Sequence, residues 1–215
     1  MKRISMKDNP ESLEQEGEEQ VKELILRSQN GDQEAFRELV DLYRTRVASI
    51  AYGLVGNFED ARDIAQEVFI KVYRALDRFD INKKFFTWLY RLSINASIDF
   101  LRANKKRSFQ ESIDSDQNFA QYSDRTVESN LEHYVENRER REIFQSIVDE
   151  LNPKQKMAFL LCDLQGLSSS EAAEIIDCPQ VTLRWYLHEA RKKIRAAVQT
   201  RYPEYFISGK KTRKT

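Results

Sequence analysis

The sequence predicts an all-α protein: two small helical domains joined by a flexible linker, the C-terminal one containing a helix-turn-helix. Three observations predict it. The 215 residues include only 6 Gly and 4 Pro, too few for the many tight turns of a sandwich or barrel. Apolar residues, 40% of the chain, recur at steps of three and four, the spacing of a single buried helical face. A stretch from about 105 to 130 loses that period and turns rich in Ser, Asp, Gln and Asn, dividing the periodic segments into two groups.

Taken in order, an acidic leader over 1–18 precedes a short helix from Glu19 to Gln29, which Gly31 stops. Asp32 suits the N-cap of the next helix, whose carboxylate can accept from the free first-turn amides. That helix carries Phe36, Leu39, Val40, Tyr43, Val47, Ile50 and Leu54 on one face and ends at Gly56-Asn57. A third, from about Glu59, repeats the pattern with Ala61, Ile64, Ala65, Val68, Phe69, Val72 and Leu76. After a break over Phe79 to Lys84, a fourth runs from Phe85 to about Arg102, closing an N-terminal domain over 19–107.

A linker follows over 108–133, then a second domain over 134–202 and a basic tail over 203–215. Asn152-Pro153 reads as an N-cap followed by proline at the first helical position, where its missing N–H costs nothing. Ser168 to Glu171 has the spacing of a capping box, in which hydroxyl and carboxylate satisfy each other's backbone amides. The short helix behind it turns Ala172, Ala173, Ile175 and Ile176 inward. A tight turn over Asp177 to Gln180 leads to a longer helix with Val181, Leu183, Leu187, Ala190 and Ile194 inward and a basic outer face. Short helix, turn, longer basic helix is the helix-turn-helix order.

The formal net charge is +0, but the average conceals an asymmetry. From Cys178 onward ten Lys or Arg face only Glu189 and Glu204. Screening cuts charge effects off beyond about 8–10 Å at physiological salt, so local charge decides encounters with phosphate. Cys162 and Cys178 form no disulfide framework and no zinc pattern, and read as ordinary thiols in a reducing compartment. No run approaches the ~20 apolar residues of a membrane span, and no signal core opens the chain, so membrane insertion is not expected and the location is cytoplasmic. With two histidines, no phosphate-cradling glycine loop and no nucleophile motif, the chain reads as a non-enzyme without cofactors, metal or a small-molecule substrate.

Three surfaces are candidates for function. On the last helix Gln180, Thr182, Arg184, Trp185 and His188 lie near the N-terminal half, where base edges are read, with Arg191 and Lys192 further along toward phosphate. The bland alternative is a solvated basic helix closing a bundle. On the third helix Asp63, Gln66, Glu67 and Ile70 turn outward, either a docking face for a protein or a merely solvated one. On the fourth, Trp88, Arg91, Asn95 and Arg102 share one side, with Phe85 before them and Lys105 and Lys106 after. Aromatic and amide groups suit unstacked bases, although aromatics at helical spacing also simply pack.

At these residues the chain resembles the extracytoplasmic-function sigma factors of bacterial RNA polymerase. The run from Asn57 to Tyr73 (NFEDARDIAQEVFIKVY) resembles their core-binding segment, and that from Phe86 to Arg102 (FTWLYRLSINASIDFLR) their promoter-melting segment. The C-terminal helix-turn-helix matches their second domain. The resemblance implies two helical domains that bind core polymerase and promoter DNA, together with regulation by an anti-sigma factor. It places Asp63, Gln66, Glu67 and Ile70 against a coiled coil of the polymerase clamp, and Trp88, Asn95 and the Phe79–Phe85 loop at the −10 element. Arg184, Trp185 and His188 fall on positions that read the −35 element. Departures are Val181 where the turn often has glycine, Glu189 at an often basic position, and Trp185 at an often small one. Two other readings fit the helix-turn-helix alone: a conventional regulator that acts without polymerase, and a helical adaptor with an incidental basic tail.

Overall fold

The computed structural model describes residues 10–114 and 142–203, with side chains over 17–105 and 142–203. Four helices build the first unit: α1 (Pro10–Gln29), α2 (Gln33–Val55), α3 (Phe58–Ala75) and α4 (Phe85–Asp114), with a tight helical turn over Leu76–Arg78. The second contains a helical stretch α5 over 142–148, α6 (Pro153–Phe159) widening into a π turn over Leu160–Leu164, α7 (Ser169–Ile176) and α8 (Gln180–Arg201). No strand occurs among the described residues.

Local chemistry sets the boundaries. Asp32 accepts the amides of Glu34 and Ala35 while Arg27 donates to it through Nε (2.9 Å) and Nη2 (2.7 Å), tying the end of α1 to the start of α2. The Ala35 amide, then Arg27, holds that carboxyl below the usual range. Gly56 ends α2 at φ 77°, a left-handed position where a Cβ would be strained, and Asn57 caps α3. Two helices outrun their periodic patterns: α1 begins at Pro10 rather than Glu19, and α4 continues to Asp114, beyond Arg102 and into the stretch expected as linker. Expected linker residues 115–133 and tail residues 204–215 lie outside the described set.

The predicted stripes are the core. Leu39, Val47, Ile50, Ile64, Val68 and Val72 are all at most 2% exposed where α2 meets α3. On α4, Leu89 and Tyr90 are buried, and the buried hydroxyls of Ser93 and Ser97 donate back to the carbonyls four residues earlier. Gln29, which no pattern singles out, donates through Nε2 to the carbonyls of Leu76 (2.9 Å) and Phe79 (3.0 Å). It thereby anchors the start of the Phe79–Phe85 loop.

In the second unit both expected caps form. Asn152 accepts the Gln155 amide and Gln155 returns the bond, a full box whose second partner sequence inspection missed. Ser168 and Glu171 do the same for α7. The turn before α8 is made by Asp177 at φ 56°, the only non-glycine left-handed residue among those described. Val181 is therefore not a turn residue but lies within α8, and at 78% exposure it points outward, contrary to the inward position expected for it.

The two units pack together. Gly53 of α2 sits so close to Leu160 that an added Cβ would lie 2.4 Å from Leu160 Cδ2, and Leu160 is 1% exposed. Lys84 Nζ pairs with Glu171 Oε1 at 2.8 Å, and Arg91 donates to the carbonyl of Glu174. Helices α4 and α7 face each other across this seam.

Candidate nucleic-acid and polymerase interfaces

All four residues expected on the docking face of α3 are exposed. Asp63, Gln66, Glu67 and Ile70 project from the side opposite the buried Ala61, Ile64, Ala65 and Val68. Glu67 is paired with Lys71 at 2.7 Å, one turn on. The face is more apolar than its sequence suggested: Ile70 is 45% and Tyr73 56% exposed, Tyr73 standing edge-on to Phe36 with centroids 5.0 Å apart. Asp60 beside this face has its carboxyl raised, mainly by burial and then by the Asp63 charge.

The α4 face divides. Trp88 is half-buried and stacked on Phe79, with centroids 5.0 Å apart and planes 28° from parallel. Phe85 closes the stack edge-on from below, 5.6 Å from Phe79 and 5.8 Å from Trp88. Phe85 itself is 4% exposed: in this arrangement it supports the platform from beneath and presents almost no surface of its own. Asn95, Arg102 and Lys105 are exposed along the helix, Arg102 lying 3.6 Å from Asp99. Arg91 is exposed but engaged by Glu174 of α7, 83 residues away. The side chain of Lys106 lies outside the described residues.

The loop leading to this platform is preformed. Asp80 Oδ1 accepts both the backbone amide and the side-chain amide of Asn82, each at 3.0 Å. The backbone bond first, then the side-chain bond, holds the Asp80 carboxyl below its ordinary value. Phe79, which the sequence placed only as a loop end, is the second ring of the platform. Its signal was present as an aromatic nine residues before Trp88, but no helical period links the two.

On α8, Gln180, Arg184, Trp185 and His188 are exposed and Thr182 is half-buried. Gln180 and Arg184 both hydrogen-bond to Ser169 at the start of α7. Trp185 leans on Tyr186 at 5.4 Å. Lys192 is exposed, whereas Arg191 makes a two-pronged pair with Asp163, its Nε 2.9 Å from Oδ2. Arg191 therefore braces α8 against the π turn while its side chain stays 57% exposed. Cys162 and Cys178 are both free thiols, and burial pushes Cys162 up to about 11. Among the described residues no cluster of His, Cys, Asp and Glu is placed to hold a metal, and no helix is long and apolar enough to cross a membrane.

A helical bundle bearing an aromatic platform and an acidic face is joined in this chain to a basic helix-turn-helix. Residues 39–107 match Sigma-70 region 2 and residues 141–194 match Sigma-70, region 4. The chain belongs to the ECF sigma factors of RNA polymerase. It is 38% identical over 178 residues to the ECF RNA polymerase sigma-E factor of Escherichia coli (strain K12), an alignment covering 82% of this chain and 93% of that protein. With the ECF RNA polymerase sigma factor SigW of Bacillus subtilis (strain 168) it shares 33% identity over 177 residues, 81% of this chain and 95% of the relative. The fold matches CnrH in complex with the cytosolic domain of CnrY, with a TM-score of 0.66 at 21% identity, covering 85% and 99% of the two chains. It likewise matches the sigma factor RpoE of Bartonella quintana in complex with the anti-sigma factor NepR, at a TM-score of 0.60 and 17% identity, covering 77% and 98%.

Proposed function

We propose that the three surfaces divide the work of initiation between them. As a sigma factor the chain binds core RNA polymerase and directs promoter-specific transcription. In this reading Asp63, Gln66, Glu67 and Ile70 dock on the polymerase, an apolar contact ringed by acidic and amide groups. Trp88 and Asn95, with Arg102 and Lys105 behind them, hold and read the opened −10 strand. Gln180, Arg184, Trp185 and His188 read the −35 duplex, and Lys192 supplies phosphate attraction. Residues 19–107 and 134–202 are the two working units. An anti-sigma factor is a further partner, and the protein acts in the cytoplasm as a non-catalytic subunit.

One observation carries the reading: a rigid, half-exposed aromatic stack and a helix with an exposed polar N-terminal half sit in the same chain. Unpaired bases stack on aromatic faces with little sequence preference, whereas duplex edges are read by side chains presented from a helix in the major groove. A conventional operator-binding regulator needs only the second. The test is co-migration of the full chain with sigma-free core polymerase on size exclusion. A one-to-one complex at nanomolar concentration is expected. Asp63→Lys with Gln66→Ala should weaken it about tenfold or more, the scale of lost interfacial contacts. Intact affinity in that double variant would refute the docking assignment.

A further inference from the structure

Ser169 is the first residue of α7, yet it plays no part in capping that helix. Ser168 is the cap: its hydroxyl accepts the Glu171 amide, and the Glu171 carboxylate returns to the Ser168 amide. Ser169 Oγ faces α8 instead. It accepts from Gln180 Nε2 at 3.0 Å and from Arg184 Nε at 3.3 Å. A serine hydroxyl oxygen has two lone pairs, so these two donors fill its acceptor capacity.

The choice of donors matters. A guanidinium has five N–H groups, and giving up the single one on Nε leaves both terminal nitrogens for a two-pronged contact with guanine O6 and N7. A primary amide has two N–H groups, and giving up one leaves the other, with the carbonyl, for the two-pronged contact with adenine N7 and N6. Ser169 can thus hold both side chains and still leave each with donors and acceptors for base reading. Arg184 is otherwise a long, exposed, rotamer-rich side chain, and fixing its orientation before binding removes ordering entropy from the recognition step.

We propose that Ser169 is a specificity-determining positioning residue: it orients Arg184 and Gln180 from outside the recognition helix and sharpens their choice of purine. This rests on the assignment of Arg184 and Gln180 to the −35 element. The hydroxyl itself reads no base; it acts through the two side chains it holds.

The test uses holoenzyme assembled from the full chain and sigma-free core polymerase. It selects from promoters randomised across the −35 segment, with the −10 segment fixed from a promoter that the wild type transcribes. Ser169→Ala should flatten base preference about fivefold at the one or two positions that Arg184→Ala and Gln180→Ala also flatten, roughly what one hydrogen bond is worth. Preference elsewhere, and affinity for core polymerase, should not move. Ser169→Thr, which keeps the hydroxyl, should restore the profile, and Ser169→Ala should add little in an Arg184→Ala, Gln180→Ala background. An unchanged profile in Ser169→Ala, beside a changed one in Arg184→Ala, would overturn the proposal and leave the −35 assignment standing. A uniform loss at every position would also overturn it, as a stability effect. If Arg184→Ala and Gln180→Ala both leave the profile intact, the −35 assignment falls and the proposal with it.

Discussion

The two helices proposed to face DNA are built in opposite ways. On α4 the central feature is fixed before any ligand arrives: Trp88 is stacked on Phe79, propped by buried Phe85, and its loop is held by Gln29 and by the Asp80–Asn82 bonds. On α8 the reading groups are long, exposed side chains standing off a helix, steadied by hydrogen bonds to a single hydroxyl. The difference follows from the targets. An unpaired base offers a flat face that any rigid ring can cover, so rigidity adds affinity without choosing a sequence. A base pair offers donors and acceptors in a pattern, and only side chains with directional groups can tell one pattern from another. Breadth comes from rings in a core, choice from polar groups on a surface.

The largest effect should come from removing the fixed element. Trp88→Ala should reduce strand opening at the −10 segment about tenfold to a hundredfold, the range for one lost base stack at ~1–3 kcal/mol. Fluorescence of a base analogue placed in that segment would read it, and duplex binding by the C-terminal unit should be spared. Equal losses in both assays would erase the contrast between the two helices.

A smaller effect is expected where the two units meet. Gly53→Ala puts a methyl 2.4 Å from Leu160 Cδ2, and overpacking of this kind costs roughly 1–3 kcal/mol. Loosening the seam should raise the radius of gyration in solution X-ray scattering and free Arg91 from the Glu174 carbonyl. An unchanged radius would mean that the neighbouring side chains absorb the methyl and the seam holds.

The smallest concerns Asp32. Its folded value lies below its ordinary 3.8, so its contribution to stability is fully present above about pH 4 and is lost as the pH falls through the folded value. Asp32→Asn keeps a capping acceptor but neither titrates nor forms the ion pair with Arg27. The variant should be slightly the less stable at pH 7, with the gap closing towards pH 3 in denaturant titrations. A gap constant with pH would show that the carboxylate charge, held by the Ala35 amide and Arg27 together, contributes nothing.

What could be read in advance, and what could not, follows from the range of each interaction. The buried stripes of α2 and α3 were legible because a helix repeats every 3.6 residues and the core is apolar. The Ser168–Glu171 box was legible because both partners lie within one turn. The extension of α4 to Asp114 was not, since its polar, charge-rich sequence carries no sustained apolar period. The burial of Phe85 was missed because three rings from the loop, α2 and α4 converge on it only in the folded chain. Arg91 and Arg191 both looked available for DNA, but their partners are 83 and 28 residues away, and no local pattern announces a bond across that distance.

Glu171 serves two masters. Its carboxylate completes the cap of α7 through Ser168 and also receives Lys84 from the other unit. Burial alone would raise its value, but the bonds from Lys84 and Ser168 outweigh burial and keep it charged. If the units part, the cap contacts, all within Ser168–Glu171, survive, while Lys84 loses its carboxylate partner and keeps the Phe86 ring beneath its ammonium.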